Sequence, residues 1–245
     1  MHTKLTLLFA ATLTCLTACS DKTAAPGAAN APTLADATAP KTVAAIKQEV
    51  TQAALPKADQ SVPNEQYIDL HSGNQIMFQY LSLAAMPLDY KETANAYSPD
   101  FARASDEFRK NDLLTALKPK IDAEVAQAGK QRYVKMVLDR PIEKYDFEHK
   151  GFPLDGSIWE SGSYRYFGDN SSYKLGFTNG DAFRYLTVAS EDSARAIEGM
   201  RSKYDPLQLV VYAYTQQADI TNKVVKAQIV KVALLDRKGN VLASQ

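Results

Sequence analysis

The feature that most constrains the fold is a change in the spacing of apolar residues near Lys130. Before this residue, apolar side chains recur every three to four positions, as in amphipathic helices. After it they recur every second position, as in half-buried strands. The sequence therefore predicts an α+β fold, in which N-terminal helices pack on a mainly antiparallel C-terminal β-sheet.

The helical half, residues 72–129, is marked by capping residues. Ser72 begins a Ser-x-x-Gln capping box and predicts a helix over residues 73–85, while Asp89 predicts a short helix through Tyr97.

Ser98 followed by Pro99 predicts a further helix start. An apolar stripe then keeps its phase past Pro119 to a stop at Gly129, which favours a kink or a helix restart at the proline over a domain boundary. The stripe consists of Phe101, Ala104, Phe108, Leu114, Leu117, Ile121 and Val125.

The strand-rich half, residues 130–245, contains predicted strands over residues 133–138 and near 144–148. Residues 172–178 and 181–188, joined by Asn179-Gly180, have the pattern of a hairpin with a type I′ turn. That pairing places Gly176 opposite Phe183, and it places Tyr173, Leu175, Phe177, Leu186 and Val188 on one face.

Ser190 predicts the start of a helix near residues 190–204, whose buried edge includes Ala194, Ile197 and Tyr204. Residues 207–215 are apolar on both alternating faces, which predicts a central strand. Residues 224–235 are long enough to pair with it, and residues 241–243 predict a last strand.

The first nineteen residues indicate where the protein works. Residues 5–16 are mostly apolar but too few for a permanent membrane helix, and Leu16-Thr17-Ala18-Cys19 follows. This order resembles a bacterial lipoprotein signal peptide over residues 1–18. The resemblance implies cleavage before Cys19 and acylation of its thiol and new amino terminus, with Cys15 a poorer candidate. The alternative is an ordinary secretory signal cut near Ala18.

Residues 19–62 have the composition of a flexible tether, because they are rich in Ala, Thr, Pro and Lys and lack aromatic residues. A short helix over residues 42–54 is the only periodic segment. Residues 63–245 then form a single predicted domain. Ser20, where lipoproteins kept in the inner membrane have aspartate, resembles the signal for transfer to the outer membrane. The expected location is therefore the outer membrane, facing the periplasm.

Composition excludes several function classes. Lipidated Cys19 would be the only cysteine of the processed chain, which excludes thiol catalysis, cysteine zinc sites and disulfides. Basic and acidic residues number 28 each, so the charge balance gives no support for a nucleic-acid partner. His71 and His149 are the only histidines of the processed chain, and they lack the spacing of metal ligands. We expect no metal and no cofactor.

Ser171 and Lys174 match the Ser-x-x-Lys pattern of penicillin-binding enzymes, but both residues fall in a predicted strand. That chemistry needs the two side chains one helical turn apart on the same side. The match is therefore interpreted as coincidence.

The region 145–170 is the candidate for a ligand-binding site because aromatic and charged residues alternate along it. Aromatic faces beside carboxylates suit the stacking of sugars, and Asp155 and Glu160 flank Trp159 as a glycosidase pair would. The alternative is that the aromatic residues close one end of the core. The candidate patch consists of Trp159, Asp155, Glu160, Tyr164 and Tyr166.

Four short motifs, at residues 106–110, 145–147, 150–154 and 164–167, give residues 67–245 a further resemblance. Together they are similar to a family of bacterial lipoproteins known only as a domain of unknown function. That family supplies no site residue to transfer. The sequence thus predicts a membrane-anchored binding or envelope-assembly module, with envelope protein or glycan as partner. A carboxylate-dependent envelope hydrolase is the alternative.

Overall fold

A computed structural model describes residues 54–245, which form five α-helices and a mixed six-stranded sheet. The α+β prediction is confirmed. The predicted signal peptide, Cys19, and the tether up to residue 53, with nearly all of its predicted helix, lie outside the described residues.

The helices are α1 (Gly73–Ala84), α2 (Tyr90–Tyr97), α3 (Pro99–Arg103), α4 (Glu107–Lys130) and α5 (Glu191–Ser202). The strands are β1 (Ile68–Asp69), β2 (Tyr133–Asp139), β3 (Gly151–Pro153), β4 (Lys174–Phe177), β5 (Tyr185–Thr187), β6 (Gln208–Asp219), β7 (Val224–Leu235) and β8 (Val241–Ser244).

The main sheet has the order β1-β2-β6-β7-β4, and β8 also pairs with β7. Strands β2, β6, β7 and β8 form antiparallel pairs in succession, whereas β1 pairs with β2 and β4 with β7 in parallel. A separate antiparallel pair is formed by β3 and β5.

The predicted capping residues begin their helices. The side chain of Ser72 accepts a hydrogen bond from the Asn74 N–H and forms the predicted capping box with Gln75. The side chains of Asp89, Ser98 and Ser190 also accept bonds from the first turns of α2, α3 and α5. Because capping satisfies the free N–H groups at a helix start, these residues begin helices in the structure as the sequence predicts.

The long helix α4 runs through Pro119 without a restart. The interruption lies earlier, where Asp106 caps α4 by accepting a hydrogen bond from the Arg109 N–H. This break turns Phe108 out of the predicted stripe, and its side chain is 85% exposed. The inclusion of Phe108 in the buried stripe was therefore wrong, whereas Leu117 and Ile121 are buried as predicted.

The core lies between the helices and one face of the sheet. Helix α1 packs on β6, and Leu209 and Val211 of that strand belong to the main apolar cluster. Val210 and Tyr212 point to the opposite face, where Tyr67 and Ala233 complete a second cluster. Both faces of β6 are buried, as predicted for a central strand.

Residues 56–62, the end of the predicted tether, lie against the sheet. The amide of Gln216 donates to the Pro56 carbonyl (2.6 Å), and the Asp59 N–H donates to Tyr133 Oη (2.8 Å). Tyr67 is buried nearby, and its burial raises its pKa to about 12. The part of the tether closest to the domain is thus bound to it.

The predicted hairpin over residues 172–188 is wrong. Strand β4 pairs in parallel with β7, β5 pairs with β3, and a 3-10 turn (Gly180–Phe183) separates β4 from β5. Asn179 has a φ of −129°, so no type I′ turn forms. Gly176 does not face Phe183, because a Cβ at this position would point to the Ser163 carbonyl oxygen (3.1 Å) and the Val224 side chain (3.3 Å).

Two smaller predictions also fail. The region 144–148 contains no strand and makes a single isolated bridge, between Asp146 and Gly151. Tyr204, predicted on the buried edge of α5, is 92% exposed because the helix ends at Ser202 and Tyr204 has a φ of 59°.

Candidate functional site: a trough beside β2

The candidate site lies where the chain returns to the end of β2. The Asp155 N–H donates a hydrogen bond to the Pro141 carbonyl (2.8 Å), and Ile142 and Leu154 form an isolated antiparallel bridge. These bonds fix the exposed Asp155 next to the last residues of β2. They also fix Leu154 and Asp155 within the region 145–170 that the sequence singled out.

Trp159 lies in the core, with 1% of its surface exposed. Its indole Nε1–H donates to the Asp155 carbonyl (3.0 Å), and its ring stacks on Phe177 at a centroid distance of 6.2 Å. The backbone of Gly180 lies so close that a Cβ there would sit 2.6 Å from the Trp159 carbonyl oxygen. The indole is therefore a packing element beneath the candidate site and offers no surface to a ligand.

Two hollows flank Pro141, and together we name them the trough. The first, of about 650 Å³, is lined by Val137, Leu138, Asp139, Arg140, Pro141, Asp155, Gly156, Ser157, Ile158, Tyr164, Arg165 and Tyr166. The second, of about 510 Å³, is lined by Asp139, Arg140, Pro141, Ile142, Glu143, Asp155, Arg201, Tyr204, Asp205, Pro206, Leu207 and Gln208. Asp139, Arg140, Pro141 and Asp155 belong to both.

The structure brings together three of the five predicted patch residues. Asp155, Tyr164 and Tyr166 line the first hollow, whereas Trp159 is buried and Glu160, though exposed, does not line it. The glycosidase pair imagined around Trp159 therefore has no indole platform between its carboxylates.

The two tyrosines of the trough are exposed. Tyr164 is 49% and Tyr166 56% accessible, and the Lys174 ammonium lies 4.4 Å from the centroid of the Tyr164 ring. Arg165 between them exchanges two backbone hydrogen bonds with Leu175 of β4, at 2.7 and 2.8 Å. The sheet thus fixes the backbone of residues 164–166 while leaving both phenol rings open to solvent.

Charges in the trough are mixed. Asp139 and Asp155 face Arg140 and Arg165 in the first hollow, and the Gln208 amide donates to the Asp139 carboxylate (3.1 Å). No single sign dominates, so a polar ligand with both hydrogen-bond donors and acceptors fits this lining better than a highly charged one.

The second hollow contains three features that the sequence did not indicate. Arg140 and Tyr204 are non-glycine residues with φ of 51° and 59°, a conformation that costs free energy and concentrates at functional sites. The Arg201 guanidinium binds Glu198 through two hydrogen bonds, which lower the pKa of that carboxyl. For Tyr204, the one available signal in the sequence was Pro206. Prolines often follow helix ends, so Pro206 indicates that α5 ends close to Tyr204.

The histidines stand apart from the trough. His149 Nδ1 lies 2.8 Å from Asp146 Oδ2, and its ring stacks on Tyr185. Bonds from the backbone and then the ring of His149 lower the pKa of Asp146. Within residues 54–245, no group of three or more His, Cys, Asp or Glu side chains is placed to hold a metal ion.

Lys174 belongs to β4 and not to a helix, so it lacks the helical turn that Ser-x-x-Lys chemistry requires.

Comparisons with protein-family models, curated proteins and solved structures found no match to this chain. The resemblance to a lipoprotein family thus stays a prediction. In the part of the chain that the structure describes, no helix is both long and apolar enough to cross a membrane.

Proposed function

We propose that the protein is a binding or assembly module of the bacterial cell envelope. A lipid on Cys19 anchors it in the outer membrane, from which the domain faces the periplasm. The trough binds its ligand. The proposed location rests on the lipobox-like Leu-Thr-Ala-Cys at residues 16–19.

The observation that carries the binding function is the exposure of Tyr164 and Tyr166 along one wall of an open hollow. Aromatic side chains with a polar tip contribute strongly to binding interfaces at low entropic cost. Asp155 and Arg165 beside them supply a hydrogen-bond acceptor and donors. Most other exposed aromatic side chains of the described domain, such as Phe108, lie outside the trough.

A pull-down with isolated envelope tests this function. The full-length protein is compared with a variant carrying Tyr164→Ala and Tyr166→Ala, and with the control Phe108→Ala, which removes an even more exposed ring from α4. We expect the double variant to retain less than a fifth of the bound material and the control to retain all of it. Equal retention by all three proteins would contradict the proposal.

A carboxylate-dependent hydrolase is the second candidate, and one observation favours it. The second hollow is lined by Asp139, Glu143, Asp155 and Asp205. Glycoside hydrolysis requires two carboxyl groups on either side of the bond that is cleaved. Release of reducing ends from isolated envelope, abolished by Asp155→Asn or Glu143→Gln, would establish this activity. Unchanged release in both variants would remove the candidate.

A further inference from the structure

The wall of the trough formed by β2 presents an unpaired strand edge. Arg140 N–H bonds the Leu207 carbonyl and Thr215 N–H bonds the Arg132 carbonyl, so even-numbered residues of β2 make the ladder with β6. In an antiparallel ladder the intervening residues direct their N–H and C=O groups to the other edge. Val137 and Asp139 therefore point these groups away from β6.

Strand β1 covers only part of this second edge. It pairs with β2 at Val134 and Lys135, and the Leu70 N–H bonds the Lys135 carbonyl (2.7 Å). Beyond Lys135, this edge of β2 has no backbone hydrogen-bond partner among the described residues. Val137 and Asp139 both line the first hollow, so the free edge faces the trough.

Residues 164–166, which line the same hollow, also carry unpaired backbone groups. Arg165 exchanges both of its backbone bonds with Leu175, so the N–H and C=O groups of Tyr164 and Tyr166 point away from β4. Within the described chain, no backbone group pairs with them. The first hollow is thus bordered by two strand-like edges, each with free donors and acceptors at every second residue.

We propose that the trough binds an extended segment of a partner protein, which adds as a strand to the free edge of β2. We name this place, the part of the first hollow along Val137 and Asp139, the slot. The inference rests on the proposed binding function and names its ligand. Donors and acceptors that alternate along the free edge of β2 are complementary to a polypeptide backbone. An open strand edge is itself a template for pairing with another chain.

The side chains around the slot define the sequence that fits. Val137, Tyr164 and Tyr166 are exposed on the outer side, whereas Leu138 and Ile158 are buried beneath. Because residues of a strand alternate between two faces, every second residue of the segment would contact Leu138 and Ile158. We infer a segment with apolar residues at alternate positions and without proline.

A phage-displayed library of random eight-residue peptides is the probe. It is selected on the full-length protein and, in parallel, on Val137→Pro. This substitution removes an N–H that points into the slot and is outside the ladder with β6, and proline is tolerated at such edge positions. We expect enrichment of alternating apolar peptides on the parent protein alone. Equal enrichment on both proteins, or none, would overturn the proposal.

Ser244→Pro is the matched control for the proline. Gln245 exchanges both backbone bonds with Val232, so the N–H of the neighbouring Ser244 also points away from its ladder, at a strand outside the trough. A selected peptide should bind Ser244→Pro with unchanged affinity and Val137→Pro at least tenfold more weakly.

Peptides N-methylated at alternate residues supply a test that leaves the protein unaltered. Methylation of the amides that face β2 should abolish binding, whereas methylation at a terminal residue outside the slot should not. Full binding of both methylated peptides would overturn strand addition even if the proline variant failed to fold.

The two proposals fail differently. Loss of envelope binding in the tyrosine variant with full binding by Val137→Pro would support a ligand in the trough and exclude strand addition. Dimerisation of the parent protein that Val137→Pro abolishes, without peptide binding, would show that two copies pair through β2 and would also overturn the proposal.

Discussion

The side chain of Asn179 takes the place of a strand residue beside Ile229. Its amide nitrogen donates to the Ile229 carbonyl (2.9 Å), and its carbonyl oxygen accepts from the Ile229 N–H (2.7 Å). β7 thus gains one more hydrogen-bonded pair where β4 ends. The residue that suggested a turn serves instead to end a strand.

Replacing Asn179 should destabilise the domain. Asn179→Ala leaves both backbone groups of Ile229 without this partner, and at roughly 1 kcal/mol per hydrogen bond we expect a loss of about 2 kcal/mol. The urea midpoint of unfolding measures it. Asn111→Ala, on the exposed surface of α4, is the control and should change the midpoint little.

Trp159→Ala should cost about 3–5 kcal/mol of unfolding free energy, because it truncates a buried aromatic side chain. Phe108→Ala removes an exposed ring and should change the free energy by less than about 0.5 kcal/mol. Both values follow from urea denaturation. A small effect at Trp159 would mean that the ring is accessible after all, as the sequence-based patch required.

Two glycines should respond to alanine with opposite signs. A Cβ at Gly180 would lie 2.6 Å from the Trp159 carbonyl oxygen, so Gly180→Ala must displace backbone and lower the melting temperature. Gly199 lies inside α5, and apart from its chain neighbours and the helix backbone no atom lies within 4 Å of a new Cβ. Gly199→Ala should therefore raise stability by about 0.5–1 kcal/mol. A lower melting temperature for Gly180→Ala and a higher one for Gly199→Ala would confirm both environments.

Asp169 should make the domain acid-sensitive. Burial raises the pKa of its carboxyl, but hydrogen bonds from Ser72 Oγ (2.5 Å), Gly73 N–H (2.8 Å) and Asn74 N–H outweigh burial and lower it. A lowered pKa in the folded state stabilises the fold above the pKa of the unfolded carboxyl. This contribution is lost as pH falls through the folded value.

Asp169→Asn should therefore lower stability at neutral pH by about 1 kcal/mol, as loss of a helix cap does. The difference from the parent should shrink in acid. Urea midpoints at neutral pH and at about pH 3 measure both effects, with the exposed Asp112→Asn as control. A constant difference across this range would show that the charge of Asp169 is not what stabilises α1.

Lipidation is tested at the two cysteines. Cys19→Ala should leave the protein unacylated and release it from membranes, whereas Cys15→Ala should change nothing. Metabolic labelling with a fatty acid and membrane fractionation measure both. Loss of acylation in the Cys15 variant, or membrane retention without Cys19, would contradict the proposed anchor.

The elements that the sequence predicted correctly depend on local chemistry. Ser72, Asp89 and Ser190 each satisfy N–H groups within one turn of themselves, so their signal is complete within a few residues. The same holds for β6, whose apolar character reflects burial on both faces. Such patterns retain their meaning in any fold.

The predictions that failed concern residues whose contact partners lie far away in the sequence. Asn179-Gly180 has the composition of a turn, but Asn179 bonds Ile229 and Gly180 packs against Trp159. Only the placement of β7 beside β4 makes the bond to Ile229 available, and only the packing of Trp159 in the core brings it to Gly180. In the candidate site, Tyr164 and Tyr166 were foreseen from composition. The free edge of β2 was not, because a single sequence does not state how far β1 extends along its neighbour.

The strand order also dictates when the domain can assemble. β2 and β4 find their long partners only in β6 and β7, as the bonds from Gln208 to Asp139 and from Asn179 to Ile229 illustrate across 69 and 50 residues. Pairings between distant residues form slowly. A chain that leaves a ribosome or a translocation channel with its amino terminus first therefore cannot complete its main sheet until β7 is released.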